Sequence, residues 1–112
     1  MVWLRKRGYT VAVVERWNPH AKIRQDLFGF IDVMAFNGDE ILAIQGTNPK
    51  DYAGHRAALI EDHTGRIRAW LESGGKLMLV AWRKLAKRNR TNPRQEWYPR
   101  FERITLEDLN EF

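Results

Sequence analysis

The chain contains no cysteine, which excludes disulfides, zinc ribbons, iron–sulfur clusters and thiol catalysis together. Four prolines and eight glycines punctuate 112 residues. With no linker, repeat or low-complexity tract among them, one domain spanning residues 1–112 is the expectation. His20, His55 and His63 are scattered and no HExxH or H-x-E spacing occurs, so a histidine-held metal is not expected. No apolar run approaches the ~20 residues of a membrane span. Met1–Leu4 precede Arg5-Lys6-Arg7, the reverse of a secretory signal, so a soluble, cytoplasmic protein is expected.

What is present suffices for a core: 44% hydrophobic residues, including five Trp, five Phe and three Tyr. Nineteen basic against fourteen acidic residues give a net charge of +5. That charge is polarised. Residues 1–24 carry six basic and one acidic side chain, and 83–103 carry eight and two, whereas 25–82 carry five and eight. Basic flanks around an acidic, apolar centre suit a polyanion held by the flanks, with carboxylates left for other work. A merely solvated basic surface is the plainer alternative.

Val2–Arg7 reads as a short helix ended by Gly8, and Tyr9–Trp17 as a β-branched, aromatic strand stopped by Asn18-Pro19. His20–Gln25 reads as a polar, basic loop. Phe28–Phe36 (FGFIDVMAF) is apolar on both alternating faces except for Asp32, as a central strand covered on both sides should be. Asn37–Glu40 turns the chain into a third strand, Ile41–Thr47 (ILAIQGT), and opposed residues of this hairpin have numbers summing to 77. Asp32 is therefore expected opposite Gln45, and Phe30 opposite Thr47. Asp51–Ser73 reads as a helix with an apolar stripe at Ala53, Ala57, Ile60, Thr64, Ile67 and Leu71. It leads by a right-handed crossover into a strand at Lys76–Trp82, parallel to the third. A basic loop, an edge strand at Glu96–Arg103 and a helix start at Thr105–Asp108 follow. The order is (α)βββαβ, an α/β fold with a mixed sheet flanked by helices.

A carboxylate in an apolar strand is expensive unless paired, hydrogen-bonded or bound to metal. Either Asp32 is satisfied locally, by backbone or Gln45 hydrogen bonds, or it shares a Mg²⁺ or Mn²⁺ with the Gln45 amide oxygen.

The strand FGFIDVMAF, its hairpin turn, the strand LAIQGT and the helix ending in WLESGGKLMLVAW together resemble the PD-(D/E)XK nuclease superfamily over about residues 8–84. The likeness is to its small Holliday-junction-resolvase-like and VRR-type members in particular. The resemblance implies a restriction-endonuclease-like core, DNA as partner, Mg²⁺ or Mn²⁺ as cofactor, and a homodimer. It places Asp32 on the metal-binding Asp, Gln45 on the acidic position and Thr47 on the lysine position, so two of three motif residues are substituted. Lys50 or Lys84 is the candidate replacement for that lysine, and Glu15 the candidate further carboxylate, its plainer reading being a half-exposed Glu paired with Arg16 or Arg24. Asp26, six residues before Asp32, stands about 20 Å away along an extended strand, too far to share an ion unless the chain bends at Gly29.

His55 and Arg56 open the helix after the motif strand, where this family brings a helix face towards phosphate. Arg83, Arg88, Arg90 and Arg94, interleaved with Trp82, Trp97, Tyr98 and Phe101, suit phosphate contact and base stacking. Three functions follow as expectations: a metal-dependent endonuclease on branched or duplex DNA, a catalytically decayed DNA-binding or regulatory relative, or a viral or mobile-element interaction protein.

Overall fold

The computed structural model describes residues 2–83 and 98–110. Its centre is set by the two most apolar segments, β5 (Ile41–Thr47) and β6 (Lys76–Arg83), which pair in parallel from Leu42 against Lys76 to Thr47 against Ala81. Strands buried on both faces need no polar alternation, and here the alternation instead sorts side chains between two cores. Ala43, Leu77, Leu79 and Ala81 join Tyr52, Leu59, Ile60 and Ile67 of the long helix α2 (Tyr52–Glu72). Leu42, Ile44, Met78 and Val80 meet Leu4 of the short helix α1 (Val2–Arg5) on the other face. At 20–30 cal/mol per Å², burial on both faces makes this pair the stable frame of the molecule.

Around that frame run β1 (Thr10–Val13), β4 (Val33–Phe36) and β7 (Tyr98–Ile104), giving a five-stranded mixed sheet in the order β1-β4-β5-β6-β7. β4 and β5 are antiparallel in the expected register, Val33 against Ile44 through Phe36 against Ile41. β7 lies at an edge, the position in a sheet where Pro99 is best tolerated. Helix α3 (Leu106–Leu109) opens with a capping box, in which the Asp108 side chain accepts from the Thr105 backbone N–H at 2.7 Å. No helix among the described residues is long and apolar enough to cross a membrane.

Three local expectations are corrected. The strand expected over Tyr9–Trp17 is broken at Val14-Glu15, and its second half forms β2 (Arg16–Asn18), which pairs with β3 (Ile23–Gln25) in a separate two-stranded sheet. The expected loop 20–25 thus supplies a strand. The strand expected from Phe28 begins only at Val33. Residues 27–31 instead make a tight turn, with Leu27 bridged to Ile31 and both Phe28 (φ 56°) and Gly29 (φ 85°) in the left-handed region. The buried face of α2 runs through Tyr52, Leu59, Ile60 and Ile67; of the expected stripe Ala53 is exposed while Ala57, Thr64 and Leu71 are half-buried, and the helix is kinked at His63 (φ −125°, ψ 17°). His55, Arg56 and His63, none of them in the expected stripe, also meet neighbouring elements.

Candidate metal centre

The centre forms where β5 ends and β4 begins. The ladder between them reaches Asp32, whose N–H donates to the Ile44 carbonyl at 2.9 Å. There the side chain takes over from the backbone: Asp32 Oδ2 accepts the Gly46 N–H at 2.8 Å. The Asp32 carbonyl faces the other way and accepts from both Val14 and Glu15 N–H, at 2.9 and 3.1 Å. Two successive donors on one carbonyl behave like a bulge, which re-aims the chain, and here the chain it re-aims carries Glu15.

Asp26 arrives by the turn that extended geometry did not supply. Gly29 N–H donates to the Asp26 carbonyl at 3.1 Å and Leu27 N–H to the Ile31 carbonyl at 2.8 Å. Arg66 of α2 clamps the turn through the Phe28 carbonyl at 3.0 Å. A Cβ at Gly29 would stand 3.0 Å from His63 Cε1, so the position needs glycine both for its φ and for the close approach of the helix. The bend folds residues 26–32 back on themselves. Glu15, Asp26 and Asp32, all half-buried, then offer carboxylate oxygens within 4.8 Å of one another, the one such group among the described residues.

The electrostatics match this crowding. Burial first, and then the Asp26 carboxyl beside it, push the Asp32 carboxyl up from its ordinary value to about 8, against the Gly46 N–H, which favours the charged form. Glu15 is held by Arg24 at 2.8 Å. Gln45, only 7% exposed, lies on the α2 side of β5, where its amide N–H meets Nε2 of His55 at 3.2 Å. Donation to that nitrogen requires the His55 proton on Nδ1 and fixes the amide, leaving Gln45 Oε1 free. Asp32 Oδ1, Gln45 Oε1 and Thr47 Oγ1 are buried and have no hydrogen-bond partner among the described residues. Three clustered carboxylates, with Asp32 Oδ1 unpartnered, are oxygen donors of the kind that Mg²⁺ or Mn²⁺ prefers, so the residues fit such a cation.

The sequence-expected residues separate into distinct places. Asp32 and Glu15 come together, and Asp26 joins them; its one sequence signal is Gly29. Gln45 and Thr47 follow Asp32's partners on β5, but Phe30 does not oppose Thr47, because it lies in the turn. Lys50 is exposed in the 3₁₀ turn before α2. Arg56 donates to Glu102 at 3.0 Å and to Asp108 at 2.8 Å, tying α2 to β7 and α3. Of the basic stretch near the C-terminus, Arg100 lies over the Tyr52 ring at 4.0 Å and Arg103 pairs with Glu40 at 2.7 Å. Arg83 ends β6. Lys84, Arg88, Arg90 and Arg94 lie outside the described residues. Set against protein-family models, curated proteins and solved structures, the chain matches none of them.

Proposed function

We propose that this is a restriction-endonuclease-like domain that binds DNA and hydrolyses its phosphodiester bonds with a divalent cation held by Glu15, Asp26 and Asp32. The observation that carries the reading is the convergence of three carboxylates from three separate segments, one of them bonded to Gly46, whose two sequence neighbours Gln45 and Thr47 keep buried, unpartnered oxygens. A folded protein does not gather like charges without return, because each further carboxylate raises the cost of ionising the others.

When bound, Mg²⁺ or Mn²⁺ supplies Lewis acidity towards phosphate and lowers the pKa of water. The chain's own residues prepare for that. Gly46 N–H fixes Asp32, Arg24 orients Glu15, and His55 holds the Gln45 amide so that its oxygen rather than its NH₂ faces away from the helix. In the metal-free protein the raised pKa of Asp32 keeps a proton on the Asp26–Asp32 pair at neutral pH, so cation binding is expected to release it.

The second reading, a decayed relative that binds DNA without cutting it, draws on Thr47. At the position where the resemblance implies a lysine, a neutral hydroxyl can neither offset phosphate charge nor help deprotonate water. One experiment separates the two. Mn²⁺ titration calorimetry of wild type, Asp26→Asn and Asp32→Asn is expected to show binding only in wild type, and cleavage of branched or duplex DNA with Mn²⁺ decides between enzyme and decayed relative. Equal Mn²⁺ affinity in all three proteins would remove the metal centre.

A further inference from the structure

We infer that the β2–β3 hairpin and the tip of the 27–31 turn form a stacking surface for unpaired nucleotides, adjoining the carboxylates. The choice of DNA as the occupant rests on the function proposed above. The surface itself rests on separate observations.

The hairpin contributes little to either core: five of its six residues are exposed. Such a two-stranded ribbon is marginal in water by its own packing. It nevertheless presents Trp17 at 57% exposure on the face of its partner Arg24, and Phe28, at 58%, lines one groove with Arg16 and Arg24. Two exposed rings that share Arg24 as neighbour form a surface rather than scattered single residues. The charge around them has one sign: residues 16–25 carry Arg16, Lys22 and Arg24 and no carboxylate.

Connectivity ties this surface to the metal centre. Trp17 is registered opposite Arg24, and Arg24 bonds Glu15. A groove of about 730 Å³ is lined by Val14, Arg16, Arg24, Gln25, Asp26 and Phe28, so one depression holds two cations, an aromatic ring and one carboxylate of the triad. One ring and two cations in a groove, with a second ring registered against one of those cations, match a single strand, whose bases stack while its phosphates pair; a duplex keeps its base faces inside. Phe28 adds a further sign. An aromatic residue at φ 56° is strained where glycine would not be, and its ring is not retained for burial. Local strain kept by an exposed ring fits a functional contact.

The test is fluorescence anisotropy in EDTA, so that cleavage and metal play no part, with labelled oligodeoxythymidine and a duplex of equal length. Wild type is expected to prefer the single strand. Trp17→Ala is expected to weaken single-strand binding about five- to a hundredfold, the range for losing one stacked base, and to change duplex binding less than twofold. Phe28→Gly is expected to weaken it likewise while its melting temperature holds or rises, a combination that a structural role for the ring does not produce. Equal preference for duplex, unchanged single-strand affinity in both variants, or loss only of polyglutamate binding would overturn the surface, the last in favour of an acidic protein partner. If single-strand binding fails in the variants as expected while wild type binds no Mn²⁺ and cuts nothing, the nuclease reading falls and the stacking surface stands. Intact Mn²⁺ binding and cleavage with unaltered variants is the reverse.

Discussion

Glu40 and Asp32 stand at opposite ends of the β4–β5 pair, and the sheet treats them in opposite ways. Glu40 sits in the turn, where its carboxylate accepts the Tyr9 hydroxyl and both terminal nitrogens of Arg103, at 2.7 and 2.9 Å. Those partners hold it down at about 2. Asp32 has one backbone N–H, two neighbouring carboxylates and no cation in direct contact among the described residues. The first corner is complete: it joins the chain before β1 to the turn and to β7, and each group answers another. The second is organised to the same degree, with Gly46, Arg24 and His55 each fixing one member, yet it retains unanswered oxygens. Order without satisfaction separates a site from a structural ion pair.

The strongest way to break this contrast is to supply the acidic corner with the cation it lacks. Gln45→Glu with Thr47→Lys is expected to raise Mg²⁺-dependent cleavage well above wild type, on the scale of ~10²–10³ for one electrostatic group in an active site. The companion expectation is that the Asp32 carboxyl titrates lower in Thr47→Lys alone, as Glu40 does beside Arg103, which a carboxyl-resolved NMR titration would read. If the double variant binds Mn²⁺ and still cuts no branched, duplex or single-stranded substrate, the enzyme reading fails and the DNA-binding relative remains.

Next in size is the bend. Gly29→Ala forces a Cβ into the left-handed region and against His63, with an expected loss of about 2 kcal/mol in urea unfolding. Because the turn delivers Asp26, Mn²⁺ affinity is expected to fall at least tenfold as well. Lost stability with unchanged affinity would show that Asp26 reaches the centre without the turn. Glu40→Gln is expected to cost about 1 kcal/mol by weakening its bonds to Arg103, and to leave Mn²⁺ affinity unaltered. A change in metal affinity there would mean that the two corners are coupled through β5.

The frame was legible because its signals are the ones burial writes directly into a chain. ILAI and KLMLVA are apolar on both faces, as a covered parallel pair requires, and Asn37–Glu40 carries turn residues, so the register sum of 77 holds in the structure. Asp32 was legible for the converse reason, a charge in apolar company. Asp26 was hidden because its turn depends on Phe28, an aromatic residue with no turn propensity, held in the left-handed region by tertiary contacts from Arg66 and the packing of α2. The hairpin was hidden because β2 continues the direction of β1 with similar residue types, and only the Asp32 carbonyl shows where the two part. The phase of α2 escaped a regular heptad-like count because Tyr52 and His63, polar-edged aromatics, occupy buried or half-buried places while Ala53 is exposed, and because the helix is kinked.

The contrast is also readable in pH. In the metal-free protein, folding raises the Asp32 pKa from 3.8 to about 8, so between those values the folded chain binds more protons than the unfolded one. Stability therefore declines as pH rises across that window and flattens above it, with a slope bounded by one proton, about 1.4 kcal/mol per pH unit. Glu40 acts with the opposite sign. Its pKa is lowered from 4.5 to about 2, so its contribution is full above 4.5 and lost as pH falls through about 2. The two corners thus bound a stability maximum from opposite sides, and each variant is expected to remove its own side: Asp32→Asn the decline towards neutral pH, Glu40→Gln the steepest part of the acid limb. Urea midpoints measured in EDTA across both windows read this directly. Saturating Mn²⁺ is expected to cancel the decline in wild type, because the cation takes the place of the proton, and to change nothing in Asp32→Asn. A wild-type decline that survives in Asp32→Asn would place the titrating group elsewhere and leave Asp32 as well satisfied as Glu40.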